Sequence, residues 1–333
     1  MEKKLIVRRA RDIIAEQKQH PDPVSLWMNG LWNENEIHCL FADTNIGKSI
    51  LAVQIARDIT EKLHKSVIYF DFELSDKQFQ LRYTSDDGES VYPFRDSFMR
   101  ASYNARNTED AQITEQDIID IVTESKSSII IIDNLISLES DSTDGMKAAQ
   151  LMKMFMRLKI KYGLSILVIA HTPKRKQEDP ITLNDLKGSN AFSIFLDSAS
   201  AVNKTALSDN GRYIKQLKCR QERIIYGEDN VIVCHIAKND AFTEFIVDGF
   251  TTEEEALIAV APEERRRQAL IDDIIVTPSE QPADQSPIPI EEYDPIDIKI
   301  MQMHERGISL RNIAKHLNLS KTTVQRKVEK LTK

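Results

Sequence analysis

Gly47-Lys48-Ser49 carry the strongest chemical signal in this sequence. They close the segment Ala42-Asp43-Thr44-Asn45-Ile46-Gly47-Lys48-Ser49, which follows an apolar run and opens the amphipathic stretch Ile50–Leu63. A tight loop at a helix start aims several backbone N–H groups at one point, a lysine there reaches the outer oxygens of a polyphosphate, and the next hydroxyl can sit on Mg²⁺. The spacing predicts a triphosphate site over residues 42–49, with Ser49 on the metal. Ala42 stands where this pattern usually has glycine, and a methyl group is acceptable there if φ is negative.

Three later runs end in groups that suit the same chemistry. Ile129-Ile130-Ile131-Ile132 ends in Asp133, which can hold Mg²⁺ through water or simply cap a turn. Val67-Ile68-Tyr69-Phe70 leads through Asp71-Phe72 to Glu73, a candidate general base for the attacking water, or a solvated residue ahead of a helix over Asp76–Tyr83. Ile166-Leu167-Val168-Ile169 leads through Ala170 to His171-Thr172, where His171 reads as a sensor of the terminal phosphate or as a structural histidine.

These residues need strands to place them. Continuous β-branched runs without polar alternation are typical of strands buried on both faces, so Ile37–Phe41, Val67–Phe70, Ile129–Ile132 and Ile166–Ile169 predict a mostly parallel sheet in an α/β fold. The segments Ser198–Asn203, Tyr213–Lys218, Val231–Ile236 and Phe242–Val247 predict hairpin-joined strands that extend it. Ahead of the sheet, Ile6, Ala10, Ile13 and Ile14 share the spacing of one helix face, followed by a Pro-containing loop through Trp27 and Trp32.

The chain of 333 residues carries a formal net charge of -8, but the charge is uneven. Residues 251–297 hold thirteen acids, three basic residues and six of the eleven prolines, and read as a flexible linker. Residues 298–333 carry nine Lys/Arg against Glu305 and Glu329. The expected organisation is a helical lead-in over 1–35, an α/β domain over 36–250, a linker over 251–293 and a small all-α domain over 294–333. Cys39, Cys219 and Cys234 lie far apart and read as free thiols. With no apolar leader and no run near the ~20 residues a membrane span needs, a cytoplasmic protein without membrane contact is expected.

By motif order and spacing, the stretch from about Ile37 to Ile246 resembles the RecA-like hexameric helicases, most of all the branch of the RepA helicase of broad-host-range plasmids and more distantly that of DnaB. Ala42–Ser49 matches Walker A; Phe72-Glu73-Leu74-Ser75 with Gln78 and Arg82 matches the catalytic-glutamate segment; Asp133-Asn134 matches Walker B; and His171-Thr172 matches the third motif. Gly188-Ser189 with Asp197 resembles the segment after it, and Lys218-Cys219-Arg220 resembles the K-x-R pair that such rings insert into a neighbour's nucleotide. The resemblance implies a RecA-like P-loop fold that hydrolyses ATP with Mg²⁺ in a homo-oligomeric, hexameric ring. Lys218 and Arg220 would then act in trans, and single-stranded DNA would pass through the channel. Channel loops are implied over Leu138–Lys147, which is acidic, and over Lys174, Arg175, Lys176 and Lys187, which can track phosphates. Read without the resemblance, Lys218 and Arg220 equally fit a wet edge strand.

The tail from Ile308 to Val328 has a helix-turn-helix layout. Ser309 and Ser320 are placed as N-caps, Asn318 as the turn, and Ile313, Leu317, Leu319, Val324 and Val328 as the buried face. It resembles the helix-turn-helix of resolvases and many bacterial regulators. Its second helix would present Lys321, Thr322, Thr323, Gln325 and Arg326 to a duplex groove, although a protein-docking module remains the alternative. Together these readings imply a DNA-dependent, helicase-like ATPase serving replication or transfer of a plasmid or other mobile element. An ATP-switched DNA-binding regulator, a helicase loader and a recombination accessory are the alternatives.

Overall fold

A computed structural model describes residues 5–103, 113–134, 145–173, 175–176, 178–186, 190–258, 300 and 319–331. The chain divides into two compact units, Met1–Val260 and Ala261–Lys333. In chain order the first unit contains α1 (Ala10–Gln17), β1 (Ser25–Trp27), β2 (Trp32–Asn33), β3 (Ile37–Ala42), α2 (Lys48–Lys62), β4 (Val67–Asp71), α3 (Asp76–Arg82), β5 (Phe98–Ala101) and α4 (Glu115–Ser125). It continues with β6 (Ile129–Asp133), α5 (Gly145–Tyr162), β7 (Ser165–His171), α6 (Asn190–Phe195), β8 (Ser198–Lys204), β9 (Gly211–Cys219), β10 (Val231–Asn239), β11 (Phe242–Thr251) and α7 (Glu253–Leu257). The last described helix, α8 (Lys321–Leu331), belongs to the second unit.

The nine strands β3 to β11 form one sheet in the order β11-β10-β9-β8-β3-β7-β6-β4-β5. From β8 to β5 all neighbours are parallel, and from β8 to β11 all are antiparallel. This is the mixed α/β architecture that the runs imply. Successive residues of a strand face opposite sides, and here both sides are covered. Ile37, Cys39 and Phe41 pack in one core with Ile118, Val122, Met152 and Phe155 of α4 and α5. Leu40 and Ala42 pack in the other with Leu51, Ile55 and Ile59 of α2. That two-sided burial is why the central runs show no polar alternation.

Helix starts follow local chemistry. α3 opens on a reciprocal cap between Ser75 and Gln78, and α4 on one between Thr114 and Asp117. The antiparallel edge is closed by a side chain: Gln54 of α2 accepts from the Phe245 N–H at 2.7 Å and donates to its carbonyl at 3.0 Å, pairing with β11 as a strand would.

Two expectations need correcting. The segment around Trp27 and Trp32 is not a loop but a β1–β2 ribbon, turned through Met28, Asn29 and Gly30, all at positive φ. Asn-Gly between apolar residues favours such a turn, and the ribbon lays both tryptophans into the α2-side core. The lead-in helix forms only over Ala10–Gln17 and buries none of its residues. The edge strand β5 also has no counterpart in the apolar runs. All three cysteines are free, Cys39 and Cys234 being buried. Among the described residues, no helix is long and apolar enough to cross a membrane.

Candidate active site

The parallel register aligns the chemistry. Ala42 sits opposite His171 across β3 and β7, and Asp71 opposite Asp133 across β4 and β6, so all four strands end at one edge of the sheet. The carboxyl ends of parallel strands are where open α/β sheets bind ligands. A cavity of about 330 Å³ opens there, lined by Thr44, Asn45, Gly47, Lys48, Ser49, Ile50, Glu73, Arg82, Asp133, His171 and Ile236. Ala42 is fully buried at the base of the loop.

Gly47 caps α2 at φ 106°, a left-handed conformation that favours glycine. A Cβ there would come within 2.7 Å of Ile236 Cδ1 and 3.0 Å of Phe245 Cζ, so the β10–β11 hairpin closes directly over the loop. Arg212 of β9 donates to the Ile46 carbonyl at 3.1 Å and fixes the loop from behind. Thr44 N–H binds the Asp43 carboxylate at 2.7 Å. The result is a rigid turn at a helix start, the geometry that receives phosphate.

The Lys48 ammonium donates to the carbonyls of Ala42 at 3.1 Å and Asp43 at 2.8 Å, and lies 3.2 Å from His171 Nδ1. Burial lowers its pKa, while Asp133, Glu73 and Asp43 push the other way. Asp133 is buried and bonded by Ser49 and by the Tyr69 hydroxyl at 2.6 Å. Burial is the main reason its carboxyl is pushed up to about 6, with Glu73 and Asp71 adding to it. An anionic oxygen beside a hydroxyl at the loop's edge suits a hydrated divalent cation that also touches substrate phosphates.

Glu73 reaches the cavity from the loop after β4. Asp71, almost fully buried, accepts the N–H groups of Glu73 at 3.1 Å and Leu74 at 2.9 Å, and Arg100 of β5 binds its other oxygen at 2.9 Å. At the side chain, Asn134 Nδ2 donates to Glu73 Oε1 and approaches His171 Nε2 at 3.4 Å. Glu73, Asn134, His171 and Lys48 thus form a connected chain, able to hold a water against a phosphate.

Lys218 and Arg220 do not line this cavity. Lys218 donates to the Ser193 carbonyl, and Arg220 to the Ile194 carbonyl and, at 3.5 Å, to Asp197. In the loop after β7, Arg175 is spent internally on the Asp179 and Pro180 carbonyls and on Asp185 at 3.4 Å, its side chain 8% exposed, whereas Lys176 is exposed. Lys174, Lys187, Gly188-Ser189, most of Leu138–Lys147 and Ser309 through Asn318 lie outside the described residues. On α8, Ser320 caps Thr323 N–H at 3.0 Å, Val324 and Val328 are buried, and Lys321, Thr322, Gln325 and Arg326 are exposed while Thr323 is half-buried.

Asp71, Arg100, Tyr69 and Arg212 shape the site but fall outside the sequence motifs. Asp71 ends an apolar run just as Asp133 does, which is a usable signal; the other three bind partners distant in the chain, and nothing local marks them.

A family model described as an AAA domain matches residues 5–177, and one described as a helix-turn-helix domain matches residues 298–331. No curated protein matches the sequence. Among solved structures, a KaiC-like protein from the hyperthermophilic archaeon Pyrococcus horikoshii is similar at 12% identity and a TM-score of 0.46, covering 65% of this chain and 91% of that one.

Proposed function

The chain belongs to the AAA domain family, and from that premise we propose that it is a DNA-dependent ATPase that hydrolyses ATP in the cavity at the carboxyl ends of β3, β4, β6 and β7. The observation that carries this reading is the convergence of Lys48, Glu73, Asp133 and His171 on one cavity from four separate strand ends. Residues 42–49 wrap the phosphates. Ser49 and Asp133 would hold Mg²⁺, which when bound neutralises charge on the outer phosphate oxygens.

Glu73, aimed by Asn134 and by the Asp71–Arg100 pair, takes a proton from water as its oxygen bonds to the terminal phosphorus. The bond from that phosphorus to the bridging oxygen breaks, and ADP leaves with the electron pair. Lys48 offsets the charge that builds up, and His171, linked to both Lys48 and Asn134, senses whether the terminal phosphate is present.

The finer reading is a helicase-like motor of the RepA type, working as a hexameric ring in the cytoplasm in replication or transfer of a plasmid or mobile element. In it Lys218 and Arg220 complete the neighbouring subunit's site. Lys176, with Lys174 and Lys187 on the same stretch, follows single-stranded DNA, whereas Arg175 is used up by its own loop. Residues 251–257, expected as the start of the linker, instead finish β11 and form α7 of the first unit, with Glu253 and Ala256 buried; the link to a module over 294–333 that places Lys321, Thr322, Thr323, Gln325 and Arg326 on duplex DNA begins after Val260. ATP turnover with and without single-stranded DNA, together with sizing in ATP and Mg²⁺, tests it: stimulation and ring formation are expected, and absence of both overturns the motor.

A second reading, an ATP-switched DNA-binding regulator, is favoured by one feature. Lys218 and Arg220 are bound to carbonyls and Asp197 of their own chain rather than held out for a neighbour. If Lys48→Ala leaves footprinting by the tail and the biological output unchanged, the regulator is the better account.

A further inference from the structure

Among the described residues, the lysines and arginines that are buried are Lys48, Arg212 and Lys215. Lys215 pairs with Glu253, and Lys48 lies in the field of Asp133, Glu73 and Asp43. Arg212, 8% exposed, has no carboxylate against it among the described residues. Its Nε donates to the Ile46 carbonyl at 3.1 Å and its Nη1 to the Gly211 carbonyl at 2.9 Å. The ionisable group beside it is the Cys234 thiol, which burial pushes up to about 12 and so keeps neutral. Burial pulls the pKa of Arg212 down, yet a guanidinium remains charged at neutral pH. Two carbonyls satisfy its N–H groups but do not neutralise it, and a buried charge without an opposite charge is costly.

The place of that charge suggests what balances it. β8 runs parallel to β3, and β9 runs antiparallel to β8 with Arg212 opposite Lys204, the last residue of β8. Arg212 therefore sits at the edge of the sheet where β3 ends and residues 42–49 begin, but it does not line the cavity. The carbonyl it holds belongs to the same peptide group as the Gly47 N–H. In a trans peptide those two groups point in opposite directions, so a donor fixed on the Ile46 carbonyl turns the Gly47 N–H away from β9, and Gly47 faces the cavity. We infer that Arg212 is a positioning residue for the phosphates: it orients the Ile46–Gly47 peptide from behind and supplies a positive charge whose counter-charge is the polyphosphate on the other side of the loop. This rests on the ATP reading above and adds to it a cation that never touches the nucleotide. The empty subunit carries the charge uncompensated and the loaded one does not, so deleting it has opposite effects on the two.

The test uses the full chain, Arg212→Gln and Arg212→Lys. It measures the melting temperature without nucleotide, and equilibrium binding of ADP and of a non-hydrolysable ATP analogue, each with Mg²⁺. A glutamine amide can still donate to Ile46 but carries no charge. Arg212→Gln is expected to melt at or above the wild-type temperature when empty, and to bind both nucleotides roughly 10- to 30-fold more weakly, the effect of a unit charge across one peptide group at an effective dielectric constant of about 20. Arg212→Lys keeps the charge and should recover most of the binding. Unchanged binding in Arg212→Gln, a lower melting temperature of that variant without nucleotide, its failure to fold, or an equal loss of binding in Arg212→Lys would make Arg212 a structural anchor only, and overturns the inference while the ATP reading stands. Wild-type protein that binds neither nucleotide overturns the ATP reading itself, and this inference with it.

Discussion

Replacing Lys215 with Met should destabilise the first unit by about 3 kcal/mol. Lys215 and Glu253 form an ion pair deep in the fold, their side chains 8% and 5% exposed. The carboxylate also accepts from the Tyr213 hydroxyl at 2.8 Å and from the Ile181 N–H at 3.0 Å, while the ammonium reaches the Ile181 carbonyl at 3.2 Å. The cluster therefore ties the loop after β7 to β9 and to the start of α7. Lys215→Met keeps the aliphatic stem, so the packing loss is small and the main effect is a buried carboxylate without its cation. Removing one partner of such a pair costs roughly 3 to 5 kcal/mol; the two remaining donors put the expected value near the low end. Glu253→Gln leaves the ammonium facing an amide, and should also destabilise. The double variant should cost less than the sum of the singles, by about 1 to 3 kcal/mol, because the residues are in contact. Urea unfolding followed by circular dichroism reads this as a shift in midpoint at constant slope. If Lys215→Met shifts stability by less than about 0.5 kcal/mol, or the two changes simply add, the pair does not hold the loop as described.

His38 is buried between the hydroxyls of Ser198 and Ser200, both at 2.8 Å, and burial lowers its pKa to about 3. Because the unfolded chain takes up this proton near pH 6.5 and the folded one does not, stability should fall as pH drops below 6.5, by about 2 kcal/mol at pH 5 from this group. His38→Gln should flatten that slope in denaturation curves recorded from pH 7 to 5, and an unchanged slope would contradict the assignment. Gly47→Ala meets both the strained φ and the 2.7 Å approach to Ile236, so nucleotide affinity measured by calorimetry should fall at least about tenfold, with partial recovery in Gly47→Ala/Ile236→Ala. Full affinity in the single variant would show that the hairpin does not constrain the loop.

Lys48, Glu73, Asp133 and His171 are legible in the sequence for one reason. Each stands at or just after an apolar run, and parallel packing sends the ends of those runs to one edge of the sheet. What escapes is whatever depends on partners distant in the chain. Arg100 has no local sign of its bond to Asp71, 29 residues away, and Arg212 reaches Ile46 across 166 residues. The β1–β2 ribbon hides for a different reason. Its strands are too short to show alternation, and the tryptophans that make it a lid on the α2-side core look, in sequence, like loop residues. Arg175 shows the limit of counting charge, since a cation in a basic run can be used up by the carbonyls of its own turn.

In the proposed mechanism Glu73 activates water against a triphosphate gripped by Lys48. Turnover and binding of ATP by the purified wild-type chain, Glu73→Gln and Lys48→Ala test it most directly when measured side by side. Turnover should drop by at least about a hundredfold in Glu73→Gln with ATP affinity retained, and Lys48→Ala should lose affinity as well. Turnover in Glu73→Gln equal to that of the wild type, or wild-type protein that binds no ATP, would contradict the account.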